Sequence, residues 1–119
     1  MPKTHLISIE GGITKIKFLV KPSLKDIQNI IDDLAENYPY EKRLWDLSDI
    51  NFDFTTDEIK IIAEYGKRKF LKPNKLALYA TNDLAFGEMR QFQVYREEEE
   101  KALPKVFRRE QEAIDWLKS

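Results

Sequence analysis

Arg43-Leu-Trp-Asp-Leu-Ser-Asp-Ile-Asn-Phe-Asp-Phe-Thr-Thr-Asp-Glu58 is the stretch on which the fold turns. Arg43 to Leu47 is a short apolar run bounded by a polar loop, the pattern of a buried strand. Thr56 stands directly before a helical pattern and reads as its N-cap. Asp57 and Glu58 suit the positive end of that helix's dipole. Ile59, Ile62, Ala63, Gly66 and Phe70 recur at helical spacing and form the inner face. Strand, loop and helix N-terminus, in that order, is the junction where α/β domains place their working surface.

Towards the N-terminus, Thr4 to Glu10 reads as a strand and Gly11-Gly12 as a two-residue hairpin turn. Ile13 to Val20 alternates, with Thr14, Ile16, Phe18 and Val20 on one face and Lys15 and Lys17 on the other. Ser23 is a good N-cap for the next helix, and Asp26 stands where a capping box needs a carboxylate. Leu24, Ile27, Ile30, Ile31, Leu34 and Tyr38 give that helix its apolar stripe before Pro39 stops it.

Towards the C-terminus, Pro73-Asn74 ends the second helix and Lys75 to Thr81 is a strand. Asn82 or Asp83 caps a third helix running to about Lys101, with Ala85, Met89, Phe92 and Tyr95 turned inward. Pro104 opens a fifth strand over Lys105 to Arg108. A last helix from Glu110 to Lys118 turns in Ala113, Ile114 and Leu117. The order is ββαβαβαβα in a single α/β domain spanning 1–119. Three crossover helices after an opening hairpin give a mixed five-stranded sheet. With strands in sequence order the helices lie mainly on one face. Trp45, Tyr79, Lys15 and Lys17 are then expected on the open face, a possible homodimer surface.

Composition narrows the function. A net charge of -1 supplies no general pull towards nucleic acid. With no cysteine and a single histidine, His5, there is no thiolate site, no disulfide and no multi-histidine zinc site. The N-terminus lacks a signal peptide's apolar run, and no stretch is long and apolar enough for a membrane span. A cytoplasmic setting is the expectation. No glycine-rich phosphate loop and no Gly-x-Ser-x-Gly elbow is present, so the chain reads as no enzyme and as needing no cofactor.

Three stretches carry a resemblance. They are Leu44-Trp-Asp-Leu-Ser-Asp-Ile-Asn-Phe52, Thr81-Asn-Asp-Leu-Ala-Phe-Gly-Glu-Met-Arg90 and Val106-Phe-Arg-Arg-Glu-Gln-Glu-Ala-Ile-Asp-Trp-Leu117. In this order the chain resembles the SpoIIAA-like branch of the STAS domains, whose founding members are bacterial anti-sigma factor antagonists. The resemblance implies a mixed five-stranded sheet used as an interaction or ligand-sensing module. In the antagonists a serine at the start of the second helix is phosphorylated within Asp-Ser-Ser-Gly. Phe54-Thr55-Thr56-Asp57 stands there in this chain, with Thr56 at the modified position. Phe54 replaces the aspartate and Asp57 the glycine, so a phosphate would meet two like charges at Asp57 and Glu58.

Among candidate sites, Asp46, Asp49, Asp53 and Asp57 cluster after strand three. Their commoner role is loop solvation and helix-dipole pairing rather than metal binding. Asp46 with Thr81 and Lys105 is similar to a response-regulator receiver. Lys105, however, falls at the wrong end of its strand. Phe52, Phe54 and Phe86 do not fit the inner stripes of their helices. They either cover the end of the core or line a rim, with Arg90 one turn beyond Phe86. Arg90 either meets an anionic group or pairs with Asp46 or Asp49. The expected function is a regulatory module binding an unknown protein partner. The alternative is a carrier of a small apolar or lipid-like ligand, resembling CRAL-TRIO domains.

Overall fold

The chain runs β1 (His5–Glu10), β2 (Ile13–Phe18), α1 (Leu24–Asn37), β3 (Lys42–Asp46), α2 (Thr56–Lys69), β4 (Asn74–Tyr79), α3 (Asp83–Arg96), β5 (Ala102–Phe107) and α4 (Glu110–Lys118). The computed structural model describes residues 4–38, 42–48, 50, 54–69, 74–96 and 102–119. Phe52, Phe70, Asp49, Asp53 and the side chain of Tyr95 lie outside the described residues.

The sheet order is β1-β2-β3-β4-β5. β1 pairs antiparallel with β2, and each later neighbour is parallel. Gly11 and Gly12 close the hairpin at φ of 57° and 80°, a conformation that side chains with a Cβ resist. Because successive parallel strands are adjacent and crossovers keep one hand, α1, α2 and α3 stack on the same side. There they cover Ile16 and Phe18 of β2, Trp45 of β3, and Leu76 and Leu78 of β4.

α4 lies on the opposite face. It packs Ala113 and Leu117 against Leu44, Ala77 and Phe107. β3 is therefore covered on both sides, and Arg43 to Asp46 are all buried, the two charged residues with the two apolar ones.

Several local expectations need correction. β5 runs from Ala102 to Phe107, so Pro104 stands inside the strand rather than opening it. Trp45 is not on the outer face: it is 4% exposed under the three helices, with its ring 5.6 Å from that of Phe18. The pleat puts Leu44 and Asp46 on the α4 side and Trp45 on the other. Val20 does not extend the face of β2. The strand ends with the His5–Phe18 pair, and Val20 is exposed. The face carrying Lys15 is only partly open, since Lys15 Nζ reaches Glu110 Oε1 of α4 at 3.2 Å.

Capping follows the side-chain chemistry. Ser23 and Asp26 form a reciprocal capping box at α1. At α2 the cap is Thr55, one residue earlier than the sequence suggests. Glu58 N donates to Thr55 Oγ1 at 3.2 Å, and Thr55 N donates to Glu58 Oε1 at 3.0 Å. The Thr-x-x-Glu spacing permits both bonds only from Thr55. Thr55→Ala should therefore cost about 1 kcal/mol in urea unfolding, and Thr56→Ala only a few tenths. Equal losses would return the cap to Thr56.

α1 and α2 are tied at the surface. Tyr65 Oη donates to Asp32 Oδ1 at 2.6 Å, and Lys69 Nζ lies 3.1 Å from the same oxygen. The Tyr65 bond, then Lys69, holds the Asp32 carboxyl below the usual carboxylate range. The same carboxylate pushes the Tyr65 phenol up.

Candidate functional site

Parallel strands present their C-terminal ends, and the N-termini of the following helices, at one rim. Here the rim joins the ends of β3 and β4 to the heads of α2 and α3. Strand order never reverses, so no crevice opens between diverging crossovers. The rim's shape depends on how the β3–α2 loop is held.

It is held by α3. Thr81 Oγ1 donates to Ser48 O at 3.3 Å, and Asn82 Nδ2 donates to Ile50 O at 3.3 Å. Asn82 Oδ1 accepts from Ala85 N at 2.7 Å, so this one side chain also caps α3. Deeper, the backbone N–H of Phe54 donates to Glu88 Oε1. Glu88 is 6% exposed and Phe54 8%. A carboxyl group at that depth requires hydrogen bonding, and its Oε1 receives one bond from the loop.

Phe54 therefore turns into the core and closes its end, while Phe86 is half-buried on the same rim. The Arg108 guanidinium lies 4.1 Å over the Phe86 ring and bonds Asp83 Oδ1 at 2.9 Å. Arg90 is exposed and forms no hydrogen bond or ion pair among the described residues. It does not pair with Asp46, which faces α4 on the other side of the sheet. There Asp46 Oδ1 accepts from Ser48 N at 2.9 Å and from Ser48 Oγ, and Lys15 Nζ is 3.9 Å from Oδ2. Thr56 is exposed at the head of α2, and its hydroxyl donates weakly to Gln91 Oε1 at 3.4 Å. Among the described residues no group of three acidic or imidazole side chains is placed to hold a metal ion.

Protein-family models, curated proteins and solved structures contain no match to this chain.

The outer side of α3 completes the site. Phe86, Arg90 and Val94 follow one another at four-residue spacing, with Gly87 exposed beside them. Val94 is 62% exposed, and Leu84 at the helix head is 57% exposed. A Cβ built on Gly87 meets nothing within 4 Å, so no internal packing accounts for glycine there. α3 thus exposes two large apolar side chains, Leu84 and Val94, among Asp83, Arg90 and Gln91, whereas the apolar stripe of α1 faces only the core.

Glu88 and Arg108 escaped the sequence reading. For Glu88 a signal exists: Ala85, Glu88, Met89 and Phe92 fall at i, i+3, i+4 and i+7, the inner stripe itself. Arg108 has no such signal. Its place over Phe86 depends on β5 lying beside β4 and under α3.

Proposed function

We propose that the chain is a non-enzymatic regulatory module of the SpoIIAA-like kind that binds a protein partner through the outer face of α3 and the adjoining rim. The observation that carries this reading is the exposure of apolar side chains on α3. Val94 and half-buried Phe86 flank Arg90 at four-residue spacing beside Gly87, which leaves room for close approach, and Leu84 is exposed at the helix head. Aromatic rings and arginine are the groups that enrich interface centres, and an arginine stacked on Phe86 adds to that chemistry. The fitting partner presents an apolar side chain beside a carboxylate, which Arg90 is free to meet.

The carrier alternative has less support. The gap between the sheet and α2 and α3, lined by Trp45, Ile59, Met89 and Phe92 among others, is about 10 Å³, and a cleft on the other face, between the β1–β2 hairpin and α4, is about 170 Å³. Ligand pockets are about 300–1,000 Å³, so both are small, and the larger lies away from Phe54, Phe86 and Arg90. Thr56 keeps an exposed hydroxyl at the rim, so a phosphate placed there would sit beside the same surface.

The test is affinity capture from lysate of the native host with the wild-type chain, Arg90→Glu/Val94→Asp and, as control, Lys118→Glu. A partner retained by the wild type and the control is expected to fall at least tenfold with the double variant. Each lost contact at an interface centre is worth about 1–2 kcal/mol. Equal recovery by all three would set the reading aside, as would a stoichiometric small-molecule adduct in native mass spectrometry.

A further inference from the structure

The two edges of the sheet are built differently. β5 forms one edge and carries Pro104, which has no N–H, with Lys105 exposed beside it. Proline and lysine are the residues that blunt an edge against further pairing. β1 forms the other edge. From His5 to Glu10 it holds no proline and no lysine, and its register with β2 runs without a bulge.

The hydrogen-bonding pattern says which groups face outward. A two-residue turn makes the flanking pair, Glu10 and Ile13, a hydrogen-bonded one, and bonded pairs then recur every second residue. Ser8, Leu6 and Thr4 follow in that series, and Leu19 N indeed donates to Thr4 O at 2.9 Å. The N–H and C=O groups of His5, Ile7 and Ile9 therefore point away from β2, to an edge that no other described strand pairs.

We propose that this edge pairs with β1 of a second copy of the chain, antiparallel and centred on Ile7, to give a continuous sheet across a two-fold axis. Opposed residues in an antiparallel pair point to the same face, so a two-fold register must join positions of like parity. Centring on Ile7 sets Ile7 opposite itself and His5 opposite Ile9, and every outward backbone group between them finds a partner. On the helix side each Ile9, 47% exposed in the single chain, lies against His5 and diagonally against Ile7 of the other copy. On the α4 side Leu6, 44% exposed, is opposite Ser8 and diagonal to its own counterpart. The antiparallel sense also carries Glu10 of each copy to the end of the other where His5 and Lys17 stand. This edge lies away from the α3 surface, so the inference does not depend on the function proposed above.

One strand pair buries less than a standard interface of about 1,600 Å², so the dimer is expected in the micromolar range. Sedimentation of the full chain at up to about 100 μM should show twice the 14.1 kDa chain mass. Ile9→Pro removes one outward N–H and no bond to β2, so it should return the monomer mass with unchanged circular dichroism. If Ile9→Pro fails to fold, Ile9→Lys at the same exposed position serves as the second variant. The chain has no cysteine, so oxidising a mixture of Leu6→Cys and Ser8→Cys chains should link unlike copies and report the register. A wild-type monomer at that concentration overturns the proposal, as does a dimer that survives both Ile9 variants. A dimer lost in those variants but not trapped by the cysteine pair overturns the register centred on Ile7.

Discussion

Trp45→Ala is expected to lower the unfolding free energy by about 3–5 kcal/mol, the usual effect of deleting a large buried ring. Domains of this size have only about 5–15 kcal/mol in total, so the variant should unfold at markedly lower urea or fail to accumulate. The ring sits in the central strand, packs on Phe18 and borders the small gap beneath α2 and α3. Trp45→Phe makes the argument sharper. The indole Nε1–H is buried and has no hydrogen-bond partner among the described residues. An unsatisfied buried donor costs about 1–3 kcal/mol. The gap beside it offers no polar lining to hold a water. Replacing indole by phenyl removes that donor while keeping most of the ring. We expect Trp45→Phe within about 1 kcal/mol of wild type. Urea unfolding followed by circular dichroism measures both variants. If phenylalanine proves as damaging as alanine, the N–H is satisfied after all and the packing argument must carry the whole loss.

Glu88→Ala is the second large effect. It strips the Phe54 N–H of its acceptor at a site only 8% exposed, and leaves space where the carboxylate stood. Hydrogen bonds to charged groups are worth about 1.5–3 kcal/mol, and the variant should lose at least that. Glu88→Gln keeps an acceptor oxygen in the same position and should lose roughly half as much. The loss should also be local. Exchange of the Phe54 amide should quicken in Glu88→Ala beyond what global destabilisation explains, because the loop opens at α3 first. Variants within about 0.5 kcal/mol of wild type would mean that this bond does not hold the rim.

These two residues mark where the sequence was readable and where it was not. Trp45 was recognisable as part of a buried strand, but its face was not. Leu44 and Trp45 are both apolar, and alternation cannot say which side a doubly covered strand offers to which helix. α4 decides that by covering the Leu44 side. Glu88 stands in the inner stripe of α3 by spacing but not by polarity, so the two signals disagree there. The Thr55 and Thr56 pair shows a finer limit. Both are good caps, and only the reciprocal bond with Glu58 separates them. From the sequence Phe54 either covers the end of the core or lines a rim. In the fold its ring is in the core and its N–H bonds Glu88, a residue 34 positions away.

The order of elements, the hairpin and most of the inward stripe followed from local chemistry. Alternation, helical spacing, capping side chains and a positive-φ turn act over a few residues and need no distant partner. What only the folded chain decided are the pairings between segments far apart in sequence. The fourth helix crossed to the other face, the β3–α2 loop was fastened to α3, an arginine from the end of β5 settled on Phe86, and one sheet edge was left with unblunted backbone groups. Each depends on which strands become neighbours, and short-range patterns do not contain that information.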